Sequence, residues 1–226
     1  MCGRYTLRVT GHDLQRELGL DEEPKLEPRY NLAPTQAAPI VTTADPRKVT
    51  IARWGLIPHW AKDAQIATRM INARSETILE RNGFKESFER RRCLVPADGF
   101  YEWKHAGKSK QPMHIGREGG GLVTFAGLWD TWKAPNGLDL VTFTIITTAA
   151  NPQIAPIHDR MPAFLTEEQR ALWLNPGATE GQLLELVKPW TGPAFHIYPV
   201  SNVVGSVEVD DPRCIEPAKQ VQLDLL

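Results

Sequence analysis

Three observations place this chain in the α+β class. Runs with strand character outnumber runs with helical character, and the two kinds do not alternate regularly. Pro (18) and Gly (17) are spread through the 226 residues, which keeps the elements short. The pattern predicts a mainly antiparallel sheet, curled toward a barrel and flanked by short helices. No internal repeat, low-complexity tract or linker divides the sequence, so a single domain over 1–226 is expected.

The elements follow in order. Gly3–Arg8 reads as a strand, and Gly11–Leu18 behind Thr10 as a helix. Ala38–Thr43 and Val49–Trp54 read as strands, and Ser75–Arg81 as a helix capped by Ser75 with Glu76 at its positive end. Cys93–Pro96, Phe100–Lys104, Pro112–Ile115 and Leu122–Trp129 are strand-like. Leu140–Thr148 is long and rich in β-branched residues, which suits a central strand. Thr166–Leu174 carries an N-cap Thr followed by Glu167 and Glu168, a helix start. Glu180–Val187 is a further helix, and Ala194–Pro199 a last strand.

Composition excludes several classes of function. A net charge of −1 gives no global field favouring nucleic acid, so any DNA binding needs a local basic groove. The N-terminus lacks a signal-peptide pattern, and no apolar run approaches the roughly 20 residues of a membrane span. Three cysteines with no close pair fit a reducing, cytoplasmic setting and argue against a disulfide frame or a Cys-rich zinc site. Cys93 reads as a buried, inert strand cysteine, and Cys214 carries no signal. HExxH, CxxC, EF-hand, Walker and dinucleotide glycine patterns are missing, as is a Ser-His-Asp elbow, so neither metal nor cofactor is expected.

Cys2 is the most informative residue. Removal of Met1 would leave a cysteine whose thiol and free α-amine form a 1,2-aminothiol. The amine titrates at about 7.7–8.0 and the thiol at about 8.5, so part of each is nucleophilic near neutrality. Such a pair traps an aldehyde: the amine forms an imine, the thiolate closes on it, and a thiazolidine results. An ordinary cysteine near a frayed terminus is the plain alternative.

Four polar islands stand where a core would be apolar. In Cys2-Gly3-Arg4-Tyr5, Arg4 sets a guanidinium beside the terminus, where it can lower the thiol pKa or hold a phosphate. In Met70–Glu76, Asn72 and Arg74 share a face if the segment is a strand; a strand-to-helix turn is the alternative. In Asp98–Lys104, Glu102 lies among large aromatics. Buried, it would be a proton carrier near neutrality; at a rim, it would pair with Lys104. In Ala155–Pro162, His158 is the natural proton shuttle, with Asp159 or a carbonyl fixing its tautomer and Arg160 placed to meet a phosphate. A loop with exposed charge is the alternative there. The other histidines read as surface or packing residues. Trp54 and Trp60, in Trp54–Trp60, are stacking surfaces for a base if exposed and core if buried. Arg90-Arg91-Arg92 reads as a solvated face or a phosphate-tracking groove.

Six motifs occur in order: Cys2-Gly3-Arg4, Arg29-Tyr30-Asn31 with Ala33-Pro34, Trp54–Pro58, Ile71–Glu76, Gly99–Trp103 and His158–Pro162. Together they resemble the SOS response-associated peptidase (SRAP) family, the abasic-site processing proteins, from residue 2 to about 217. The resemblance implies a sensor of abasic sites in single-stranded DNA, with the ring-opened sugar aldehyde captured by Cys2 as a thiazolidine. It implies that Cys2 is the covalent nucleophile and that Asn72 orients the sugar or terminus. Glu102 would assist proton transfer, and His158 would act as acid and base. Arg4, Arg74 and Arg160 would hold flanking phosphates, with Trp54, Trp60 and Trp103 shaping the DNA path. The peptidase label implies release of Met1 by the protein itself, an aminopeptidase being the other route. Asn202–Val209 departs from the family pattern, with Glu208 where a basic or amide residue is common. A cytoplasmic monomer, drawn to damaged DNA, is expected. The competing reading is an N-terminal-nucleophile amidohydrolase using Cys2 with His158; a simple single-strand binder is a third.

Overall fold

The computed structural model describes residues 2–107 and 109–218. The expected removal of Met1 concerns a residue outside that range. The strands are β1 Tyr5–Leu7, β2 Arg29–Leu32, β3 Ala37–Thr42, β4 Val49–Trp54, β5 Asn72–Arg74 and β6 Arg92–Ala97. They continue with β7 Gly99–Ala106, β8 Ser109–Arg117, β9 Val123–Lys133, β10 Asp139–Ala149, β11 Arg160–Pro162 and β12 Phe195–Pro199. The helices are α1 Gly11–Leu18, α2 Asn82–Arg90, α3 Glu167–Leu174 and α4 Glu180–Leu186. The class is α+β, as the sequence predicts.

Five strands close a ring in the order β10–β4–β3–β6–β9 and back to β10. The β4–β10 pairing is parallel and the other pairings of the ring are antiparallel. Closure brings β6, β9 and β10 together at Gly127. A Cβ there would lie 2.8 Å from Val95, 2.9 Å from the Cys93 sulfur and 3.0 Å from the Thr144 carbonyl, so glycine is required. The short strands β5 and β11 attach to the far part of β10.

A second, antiparallel sheet runs β12–β8–β7–β1–β2. Its β1 docks on the barrel through Tyr5, which lies edge-on to Trp54 at 5.3 Å and to Phe125 at 6.1 Å. All three rings are almost wholly buried, and each contributes roughly 1.5–3 kcal/mol by leaving water. One continuous core therefore runs from Cys2 to Phe195 across both sheets. The consequence is positional. The β1–β7 pairing brings the N-terminal segment beside β7, while β10 gathers β5 and β11 on its flank.

Two local expectations fail. Ser75–Arg81 is not a helix: only a 3-10 turn, Ser75–Thr77, forms, with no side-chain cap. Glu76 is spent on Arg160 rather than on a helix start. The helix begins instead at Asn82. In α3, Thr166 caps the helix reciprocally with Gln169, the capping-box arrangement.

Candidate active site

Cys2 has no exposed surface, and its sulfur lies 3.8 Å from the Arg4 carbonyl. That segment is tied down by its neighbours. Tyr101 N–H donates to the Arg4 carbonyl at 3.0 Å, and Asn72 Nδ2 donates to the Cys2 carbonyl at 2.8 Å. Asn72 opens β5, whose parallel register on β10 sets Asn72 opposite Ile145 and Arg74 opposite Thr147. The alternation expected of a strand holds: Ala73 is buried between Asn72 and Arg74, and Arg74 is exposed.

Glu102, on β7, is 3% exposed. Its burial removes the reading of a rim carboxylate. Burial lifts its pKa above the usual carboxylate value, against the pull of the His158 charge. Burial also pushes the Cys2 thiol up, and the field of Glu102 adds to the effect. Glu102 thus lies within electrostatic reach of both Cys2 and His158, and burial favours the neutral forms of the carboxyl and the thiol.

His158 precedes β11, and Ala150 N–H donating to the Asp159 carbonyl at 2.9 Å fastens its segment to the end of β10. Its Nδ1 accepts from Arg160 N–H at 3.0 Å and lies 2.9 Å from Asp159 Oδ1. The two contacts ask for opposite tautomers. Asp159 is 83% exposed and shares its contact with water, whereas the backbone donor is fixed by the chain.

The cationic residues divide into open and engaged groups. Arg74 is exposed and can meet an anion. Arg4 donates from a terminal nitrogen to the Val204 carbonyl at 3.0 Å and lies 6.0 Å from the Trp103 ring centroid. Arg160 departs from expectation. It grips both Glu76 oxygens, at 2.7 and 2.9 Å, and donates to the Thr147 carbonyl at 2.6 Å. It is a brace beneath His158 rather than an open phosphate site. Trp54 also departs: it is 1% exposed, stacks on Phe143 at 6.3 Å and donates to the Ile71 carbonyl. It therefore offers no face to a base. Trp60 is 52% exposed and lines a shallow concavity with Lys62, Gln65 and Arg69. Trp103 is half-buried under Arg4.

Sequence reasoning assigned no role to Asn31 and Asp210. Asn31 Nδ2 donates to the carbonyls of Val204, Ser206 and Val209 at 3.2, 2.9 and 2.7 Å. The Asp210 carboxylate accepts from Arg29 and from the N–H groups of Tyr30 and Asn31. These two residues clamp the 201–210 segment, which Arg4 also holds, onto β2. The available signal was a lone Asn in the Arg29–Leu32 strand, where an apolar residue would pack. Among the described residues, no three His, Cys, Asp or Glu side chains gather as a metal set would, and no helix is long and apolar enough to cross a membrane.

The family model described as SOS response associated peptidase (SRAP) matches residues 1–207. The chain is 41% identical over 222 residues to the abasic site processing protein YoqW of Bacillus subtilis (strain 168), covering 96% of this chain and 99% of that one. It is 32% identical over 263 residues to the abasic site processing protein HMCES of Gallus gallus, covering 96% of this chain and 78% of that one. A crystal structure of a protein from Bacteroides thetaiotaomicron superposes with a TM-score of 0.88 at 29% identity, covering 96% and 100% of the two chains.

Proposed function

The chain belongs to the SOS response associated peptidase family, and from that membership and the chemistry around Cys2 we propose that it captures abasic sites in single-stranded DNA covalently. The observation that supports the proposal is a buried carboxyl, Glu102, held in the field of both a cysteine at position 2 and His158.

Release of Met1, by the protein itself or by an aminopeptidase, frees the Cys2 α-amine. The amine adds to the aldehyde carbon of the ring-opened sugar. The carbinolamine then loses water to give an imine. Cys2 Sγ attacks the imine carbon, the nitrogen takes up a proton, and the thiazolidine closes with net loss of one water. Glu102 donates a proton to the departing hydroxyl and takes one back from the thiol, a shuttle suited to a carboxyl whose pKa is raised. His158 assists as a second acid and base. Asn72 holds the Cys2 carbonyl and so fixes the direction of the amine. Arg74 meets a flanking phosphate, and Arg4 lends positive potential while ordering 201–210. Trp60, with Trp103 behind Arg4, shapes the strand's path. A monomer acting on cytoplasmic DNA fits this reading, with one crosslink per lesion shielding it from further chemistry.

Denaturing electrophoresis tests the proposal. Met1-free protein should give a band that survives denaturation with single-stranded DNA bearing one abasic site, and none with undamaged DNA or with Cys2→Ala. No such band from verified Met1-free protein would refute it. The family's description as a peptidase favours a second reading, an amidohydrolase using Cys2 and His158. It requires turnover of a peptide or amide substrate, and absence of such turnover beyond Met1 removal would count against it.

A further inference from the structure

A cavity of about 350 Å³ lies apart from Cys2, Asn72, Glu102 and His158 and shares none of their residues. It opens between the end of β8, the start of β9, the N-terminal turn of α3 and the loop that precedes β12. Its volume falls within the range of small-molecule sites. One wall is aromatic. Phe164, Trp190 and Phe195 stand with centroids 5.6 Å, 5.0 Å and 6.4 Å apart, pair by pair.

That wall is built rather than incidental. Trp190 folds back to donate to the Pro193 carbonyl at 3.0 Å, and Asn151 Nδ2 donates to the Trp190 carbonyl at 3.3 Å. The fold-back needs Gly192, because a Cβ there would stand 2.3 Å from the indole. A larger residue would displace the ring from the cavity.

The lining also carries two guanidiniums, Arg117 and Arg170. Among the described residues, neither has a carboxylate at ion-pair distance. Arg170 donates to the Glu17 carbonyl at 3.1 Å, and its buried Nε has no partner. Burial weakens its hold on its proton; the fields of Glu17 and Glu167 oppose this, and the charge of Arg117 adds to it. Two like charges side by side, with a buried donor unsatisfied, fit an anion. Of the three glutamates at the cavity, Glu17 pairs with Arg16 at 3.6 Å, Glu168 accepts from the Thr166 hydroxyl, and Glu167 is exposed to solvent.

We propose that this cavity binds a small ligand in which a flat ring carries a phosphate or a carboxylate. The ring lies against Trp190 and Phe195, and the anion bridges Arg117 and Arg170. Neither half suffices alone, because the aromatic wall gives no charge contact and the arginines give no apolar burial.

Titration calorimetry with four probes tests this. They are dAMP (ring with phosphate), 2-naphthoate (ring with carboxylate), deoxyadenosine (ring alone) and inorganic phosphate (anion alone). At least one of the first two should saturate in the millimolar range or below. It should bind more tightly than both single-feature probes, and which of the two binds identifies the anion. Losing one charge-assisted contact in Arg117→Gln should weaken binding about tenfold or more. Gly192→Ala should weaken it by unseating the indole, whereas Cys2→Ala should leave it unchanged. Arg117 is exposed at a strand end, so its variant keeps the fold, as a circular dichroism melt would verify. No saturation by either ring-bearing anion, or equal affinity in Arg117→Gln, would overturn the proposal. Neither result depends on abasic-site chemistry.

Discussion

His114 gives a stability prediction whose size follows from the structure. It lies on β8, 3% exposed, between Tyr101 at 5.2 Å and Tyr198 at 5.3 Å, with Nε2 3.4 Å from Thr6 Oγ1. Burial pushes its pKa from the usual 6.5 down to about 3. The unfolded chain takes up a proton at this residue near pH 6.5, and the folded chain does not until about pH 3. Between those values the unfolded state binds more protons, so stability falls as pH falls, by up to about 1.4 kcal/mol per unit. From pH 6.5 to 4.5 that amounts to roughly 2–3 kcal/mol. His114→Gln removes the titration and keeps an acceptor for Thr6. Urea unfolding of both proteins at pH 7.5, 6.5, 5.5 and 4.5 isolates the effect, because other groups titrate alike in the two. The variant should be less stable at pH 7.5, and the gap should narrow by about 1 kcal/mol for each unit below 6.5. A gap that stays constant from pH 7.5 to 4.5 would refute the reasoning.

Three further outcomes are expected. Glu102→Gln should slow capture and stabilise the fold above pH 5: a carboxyl whose folded pKa is raised contributes most below its ordinary 4.5 and loses that contribution as pH rises. Melting curves should show the gain shrinking toward pH 4, and a normal capture rate would remove Glu102 as proton carrier. Arg92 is 1% exposed and donates to the carbonyls of Phe88, Glu89, Trp173 and Asn175; Arg92→Met should cost about 3–5 kcal/mol in urea unfolding by leaving those helix-end acceptors unsatisfied. Trp60→Ala should weaken single-strand binding by about 1–3 kcal/mol in an anisotropy titration, whereas Trp54→Ala should lower stability by about 3–5 kcal/mol.

The strand pattern was legible because each long strand carries its own signal. Val49–Trp54 matches its expected bounds, and the β-branched Leu140–Thr148 run lies inside β10. The short strands β2 and β11 were missed, since their residues pair only because longer strands pass beside them. The parallel β4–β10 pairing that closes the barrel leaves no local mark either. At the site, Cys2, Asn72, Glu102 and His158 were legible as polar residues in unlikely surroundings. The fate of a cation depends on what the fold places beside it. Arg160 and Arg74 look alike in sequence, yet one meets Glu76 across 84 positions and the other faces solvent. Trp54 and Trp60 divide for the same reason: β4 carries the first into the core, and the turn after it leaves the second outside.

The central claim is a thiazolidine at residue 2, and intact-mass analysis of the crosslink tests it most directly. Protein with and without Met1 would be mixed with the same abasic single strand, and the adduct weighed and mapped by peptide. An adduct is expected only from the Met1-free form, at the mass of protein plus DNA less one water, with the modification on Cys2. An adduct of equal yield from protein that retains Met1, or one mapped to a lysine, would contradict it.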